Sequence, residues 1–257
     1  MIQLKGTHSS LEYIQQLFSQ NKRAFYSRFD LADVNMILNR NASDHGVTPG
    51  LSKEVTETFQ INHPLFVRVI AVSRTTSNIS SRKMLELLAE KGGSSETIIL
   101  ENPVFQQFMS VFQPDQMREV LEEMTHHKRK LFIGSLPQQK AEELMGTVAH
   151  YIETPSSEAY TNINTWWPEV VKHIHDVEMV VVAAGDATHL INKRLWEMGV
   201  EIQSLDIDFL ANTIREAESR MWINEPETEH GIADIFNDDD IFDDLVYLEK
   251  DEKLVRA

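Results

Sequence analysis

The chain has 257 residues, 42% of them hydrophobic, and a formal net charge of −16 at pH 7. That length suffices for one large domain or two small ones around a buried core. The absence of cysteine excludes disulfides, thiolate metal sites and cysteine nucleophiles, and the acidity argues against sequence-independent binding to nucleic-acid backbones.

In chain order, Leu11, Ile14, Leu17 and Phe18 share one face of a predicted helix over "LEYIQQLF". A strand "AFYSRF" (Ala24 to Phe29) and a short helix "LADVNMIL" follow, then a helix "LSKEVTETF" and a buried strand over Leu65 to Val72. The helix "SRKMLELLAEKGG" stops on Gly92 and Gly93. No clear element emerges from "ETIILENPVFQQFMSVF". Beyond it come a helix "DQMREVLEEMTHH", a strand "KLFIGSL", and a helix "PQQKAEELMGTV" with proline in its first turn. The series continues with a strand "HYIETP", a helix "INTWWPEVVKHIHD", the strongly apolar strand "EMVVVAAG" and a helix "DATHLINKRLWEMG". It closes with a strand "EIQSLDI" and a helix "DFLANTIREAESR".

This alternation predicts an α/β, Rossmann-like domain: a mostly parallel sheet with helices on both faces. The composition shift at Glu225-Pro226 predicts a domain over 1–224 and an acidic C-terminal extension over 225–257. That extension reads as a partly helical segment docking on the body or on a second subunit of a homo-oligomer, or as a disordered tail. No apolar run reaches membrane-spanning length and no signal-peptide pattern opens the chain, so a cytoplasmic protein without a membrane partner is expected. The basic cluster "HHKRK" (His126 to Lys130) closes a helix, where cations suit the negative dipole end.

Open parallel sheets bind ligands beyond the carboxyl ends of their strands. The residues this rule selects are Arg28 to Asp33, Gly134 and Ser135, Pro155 to Ser157, Gly185 and Asp186, and Asp206 to Asp208. Helix N-termini follow several of them and suit phosphates, so a nucleotide-type ligand is expected. Neither G-x-G-x-x-G nor G-x-x-x-x-G-K-[ST] occurs, which disfavours the usual hydride-transfer and ATP-hydrolysis chemistries. A methyltransferase reading of "VVVAAGDA" is weaker, because that glycine turn belongs in the first strand–helix unit and here comes late.

The segment "SRFDLADVNMIL" resembles the Ser-Arg-aromatic-Gly-Asp-Gly-Glu-Leu segment of GT-D-type glycosyltransferases. "GLSKEVTETF…HPLFVRVIAV", "YIETPSSEAYTNINTWWPEV" and "MVVVAAGDATHLINKRLWEMGVEIQSLDID" are similar to that family's later units, in the same order. The resemblance implies a Rossmann-like sheet and transfer of a sugar from a nucleotide-diphosphate donor to an acceptor hydroxyl on a glycan, protein, small molecule or modified nucleobase. The family's acidic motif, linked to metal and donor binding, is altered here. Leu31 stands at its aspartate, Asp33 at its glutamate and Asp30 at a glycine, while Glu158 stands at an asparagine. A catalytically inactive nucleotide-binding or scaffold protein is the alternative, and Leu31 favours it.

Within this frame Asp30 and Asp33 are candidate Mn²⁺ or Mg²⁺ ligands next to the donor, since magnesium typically uses one or two carboxylates plus substrate phosphates. Their competing reading is helix capping, Asp30 as N-cap and Asp33 at the third helical position. Arg28 is the candidate phosphate contact, or else half of a structural ion pair. Gly134, Ser135, Pro155, Ser156, Gly185 and Asp186 are the remaining donor-site candidates, although Asp186 and Asp208 also read as N-caps. Asp33 and Asp206 are the catalytic candidates. Asp206 would be a general base if exposed, and otherwise a partner for a neighbouring loop. His189 could reach the ligand edge, whereas His173 and His175, two apart on a helix, cannot face one ion. Trp166 and Trp167 could stack on a sugar or fill the core.

Overall fold

The computed structural model describes residues 3–5, 7–39, 47–71, 82–93, 97–101 and 114–208. The C-terminal extension, and the helix expected after Asp208, lie outside them. Among the described residues eight strands form one sheet: β1 Gln3–Lys5, β2 Ala24–Phe29, β3 Phe66–Ala71, β4 Ile98–Glu101, β5 Lys130–Gly134, β6 His150–Glu153, β7 Met179–Ala183 and β8 Gln203–Asp206. Their order is β1-β4-β3-β2-β8-β7-β5-β6, and every paired neighbour is parallel.

The helices are α1 Thr7–Gln20, α2 Leu31–Ile37, α3 Pro49–Phe59, α4 Arg82–Lys91, α5 Pro114–Thr125, α6 Gln138–Met145, α7 Ile163–His173 and α8 Thr188–Glu197. The apolar stripe read in α1 is buried at Leu11, Ile14, Leu17 and Phe18. With α5 and α6 that helix covers one sheet face, against Tyr26, Val69, Phe132 and Val181. On the opposite face, α7 and α8 pack on Phe25, Ile133 and Val182, and α2, α3 and α4 pack on Phe29 and Ile70. Strands covered on both faces need no polar side, hence the unbroken burial of β3, β5 and β7.

Arg68 is a charged side chain held inside that core. Its guanidinium is fully buried and donates to the carbonyls of Phe59 (2.8 Å) and Gly92 (2.6 Å) and to the Thr97 hydroxyl (2.8 Å). Burial pushes its pKa down to about 10. It ties α3, α4 and the start of β4 together.

Chain direction across the sheet positions the site. From β5 the chain moves outward to β6 through α6 on one face, while from β7 it moves inward to β8 through α8 on the other. Neighbouring strands whose connections diverge leave a crevice at their carboxyl ends. Between β5 and β7 the backbones run so close at Gly134 that a Cβ there would lie 2.4 Å from the Ala183 carbonyl oxygen. Next to them, β8 pairs with β2, which brings the Arg28–Asp33 turn alongside Asp206.

Candidate functional site

The sheet's carboxyl rim gathers the residues expected there. Asp206 is 2% exposed; its Oδ2 accepts the Arg28 amide at 3.0 Å and its Oδ1 the Asp208 amide at 3.1 Å. Asp208 in turn accepts the Gly185 amide at 2.6 Å. The turns after β2, β8 and β7 are thus laced by two carboxylates, so Arg28 and Gly185 share one rim. Asp186 extends the lacing by accepting the Tyr160 amide at 3.0 Å, which pins the loop after β6. The Ser135 amide donates to Ala183 at 3.2 Å and the Thr154 amide to Gly134 at 3.0 Å, with Pro155 and Ser156 exposed beyond. Within that loop Glu158 adopts a left-handed φ of 59°, a conformation that favours glycine.

Asp30 and Asp33 form a capping box. Asp30 accepts the Ala32 and Asp33 amides at 2.8 and 3.1 Å, and Asp33 accepts the Asp30 amide at 2.9 Å. That same Asp33 oxygen, Oδ2, lies 3.0 Å from His189 Nε2. The other imidazole nitrogen, Nδ1, lies 3.2 Å from Ser27 Oγ, and the ring stacks on Phe29 with centroids 4.2 Å apart. Asn192, one turn further along α8, donates to Ser27 Oγ at 3.2 Å and accepts from Ser204 at 2.7 Å. The alternation of β2 and β8 makes this string: Ser27, Phe29 and Ser204 point to the α8 face, where apolar side chains would otherwise stand.

The charges follow from this packing. Burial alone would lower the His189 imidazole, but the charge and hydrogen bond of Asp33, with Asp206 and Asp30 adding, raise it to about 9. The amino end of α8 opposes a cation there, and a full carboxylate charge at 3.0 Å outweighs that partial dipole charge. For Asp33, burial pushes up, but His189 and the Asp30 amide leave its carboxyl below the usual range. Burial, and then the charge of Asp208, push Asp206 up to about 6 against the pull of His189. Asp208 is likewise raised by burial, with the Gly185 amide, His189 and Arg28 opposing. Asp30 is solvent-exposed, though closely surrounded by protein. Burial and the Asp33 charge push it up to about 6, and Arg28 and His189 oppose.

Two sequence expectations change here. Asp206 as general base required exposure; it is buried with both oxygens taken by backbone amides, so it holds the rim in shape. The capping reading of Asp30 and Asp33 holds in full, and the donor set suits Mn²⁺ or Mg²⁺ poorly. Asp33 Oδ2 already receives two donors and Asp30 Oδ1 two more. A divalent ion about 5 Å from the imidazolium would be repelled by roughly 7 kcal/mol at an effective dielectric of ~20, against the attraction of the carboxylates. Among the described residues no group of three His, Asp or Glu side chains is disposed to hold a metal ion.

Other sequence candidates lie elsewhere. His173 stacks on His150, rings 3.9 Å apart, beside edge strand β6, and the pair is flanked by Asp176 and Glu169. Trp166 is 6% exposed and belongs to the core, with Trp167 packed against it. The basic cluster is engaged in structure: Lys128 bonds Gln203, Arg129 pairs with Asp176, and buried Lys130 donates to the Thr125 carbonyl. No helix among the described residues is long and apolar enough to cross a membrane. Sequence reasoning missed Ser27, Asn192 and Ser204 and left His189 at the margin. Polar residues at inward strand positions, opposite a His and an Asn three apart on one helix, are the signal that could have found them.

Fold and rim together define a parallel α/β protein whose candidate residues gather at the strand carboxyl ends. No family model matches the chain, and no curated protein matches it. Solved structures do. A glycosyltransferase (domain of unknown function 1792) from Streptococcus sanguinis superposes with a TM-score of 0.60 at 14% identity, covering 92% of each chain. Two further structures of that domain match with TM-scores of 0.60 and 0.57 at 13% identity, over 92% of this chain and 89% of theirs. One of these is described as a distinct glycosyltransferase fold. The chain has that fold, as the GT-D resemblance implied.

Proposed function

We propose that this chain transfers a sugar from a nucleoside-diphosphate sugar to an acceptor hydroxyl at the carboxyl rim of its sheet. The observation that carries the reading is the convergence of Arg28, Gly134–Ser135 and Gly185 on one rim, in a fold shared with proteins described as glycosyltransferases.

The chain's own groups suit a diphosphate. Helices α6 and α8 start beyond Gly134 and Gly185, and neither has a side-chain cap, whereas α2 and α3 are capped by Asp30 and Thr48. At α6 that leaves N–H groups and a positive dipole end toward an anion, whereas at α8 the preceding turn takes the Ala187 and Thr188 amides on the Ala184 and Gly185 carbonyls and leaves mainly the dipole. Arg28, near Asp30 and Asp208, would neutralise charge developing on the leaving diphosphate, the kind of term that supplies much enzymatic acceleration. The rim carboxylates are bound to internal donors, so they shape loops rather than face bare phosphates. Asp30 is the one of the five rim aspartates that is exposed, and with a pKa near 6 it is suited to take the proton of an acceptor hydroxyl.

A second reading, a nucleotide-binding protein that no longer transfers sugar, is favoured by Leu31 in the altered acidic motif and by the occupied Oδ2 of Asp33. Incubation with a panel of nucleotide sugars, followed by assay of released nucleoside diphosphate, separates the two. Release above the rate of an Arg28→Met variant supports transfer. Nucleotide binding without release supports the second reading, and neither binding nor release removes both.

A further inference from the structure

We infer that His189 fills the Asp33 oxygen that a divalent ion would take, and that this rim therefore binds its anionic ligand without a metal ion. The inference rests on the sugar-transfer reading only for the identity of that anion as a diphosphate.

The geometry is specific. Asp33 Oδ2 receives His189 Nε2 at 3.0 Å and the Asp30 amide at 2.9 Å, which uses both of that oxygen's acceptor directions. Asp30 Oδ1 is filled in the same way by two amides of α2. Octahedral ions such as Mg²⁺ are held by one or two carboxylates and dehydrate reluctantly, so two carboxylates that each have one oxygen filled by protein donors, one of them paired to an imidazole, are weakened ligands for them. His189 cannot swing away to vacate Asp33. Its ring is 5% exposed, lies flat against Phe29 at an interplanar angle of 10°, and has Ser27 at its second nitrogen. Ser27 is itself fixed by Asn192, and Asn192 by Ser204. The string runs from β8 through α8 and β2 to the α2 turn, so the whole sheet centre orients one imidazole on one carboxylate. His189 is on this account a positioning residue: it holds the Asp33–Asp30 box, and with it the turn that carries Arg28.

The test uses the full-length protein and Mn²⁺ itself. Titrated into MnCl₂ at pH 7 without nucleotide, the wild type should leave the free-ion electron paramagnetic resonance signal intact. Uridine diphosphate should raise its melting temperature equally with Mn²⁺ and with EDTA. His189→Gln, which frees an oxygen of Asp33, should gain Mn²⁺ affinity at least tenfold, and His189→Gln/Asp33→Asn should lose that gain. One Mn²⁺ taken up per wild-type chain and lost in Asp30→Asn or Asp33→Asn would overturn the inference, as would a nucleotide upshift abolished by EDTA. A folded His189→Gln that takes up no more Mn²⁺ than wild type would remove His189 as the cause. Should His189→Gln fail to fold, the wild-type titration and the Asp30→Asn control still decide. If uridine diphosphate produces no upshift under either condition, the sugar-transfer reading fails, while the nucleotide-free Mn²⁺ titration still judges the metal.

Discussion

Replacing His189 by glutamine removes the charge that Asp33 holds, together with the ring nitrogen that reaches Asp33 Oδ2. Because the folded His189 pKa is raised, from 6.5 to about 9, its contribution is full below pH 6.5 and is lost as pH rises through 9. A shift of that size corresponds to roughly 3 kcal/mol, most of which remains at pH 7 and almost none at pH 9.5. Burial of the imidazole justifies the conversion, since the side chain is 6% exposed and solvent screens it little. Over this window Asp33, Asp206 and Asp30 stay largely ionised, so the ring itself is the group that changes. The assay is urea unfolding of wild type and His189→Gln at pH 7.0 and pH 9.5, with stability differences taken at each pH. Wild type should lose about 2 to 3 kcal/mol relative to the variant across the interval. Parallel pH dependences for the two proteins would refute the buried ion pair.

Other substitutions test separate parts of the rim. Arg28→Met should weaken binding of uridine diphosphate by about 1.5 to 3 kcal/mol, the range for a hydrogen bond to a charged group, measured by calorimetry. Gly134→Ala places a methyl group 2.4 Å from the Ala183 carbonyl oxygen and should destabilise the fold by about 1 to 3 kcal/mol while reducing nucleotide affinity, read by thermal melting and calorimetry. Asp30→Asn keeps a good N-cap, so stability should change by less than about 0.5 kcal/mol. Its transfer rate should nevertheless fall by about tenfold or more and lose the rise with pH near 6, because a base with a raised pKa has been removed.

The elements with strong apolar patterns were legible from sequence. "AFYSRF" coincides with β2, and "MVVVAA" contains β7, because strands buried on both faces read as mainly apolar runs, with Ser27 and Arg28 the polar residues that β2 carries inward and to the rim. The two strands that were not read, β1 and β4, have three and four residues, too few for a period to show. The rim was legible in outline because a parallel sheet fixes which end of each strand carries the ligand. Its inner wiring was not: Ser27 and His189 are 162 positions apart, and a serine inside an apolar strand looks like a packing compromise until its partner is in place. Asp206 misled for a related reason. A carboxylate at a strand end serves equally as an exposed base or as a buried acceptor of loop amides, and only the pairing of β8 with β2 separates the two.

The most direct measurement is a crystal structure of the protein grown with uridine diphosphate and EDTA. The diphosphate should lie in the crevice between Ser135 and Gly185, within hydrogen-bonding reach of Arg28, with His189 still on Asp33. A nucleotide bound at any other surface, or a diphosphate reaching Asp30 and Asp33 only when Mn²⁺ is supplied, would contradict it.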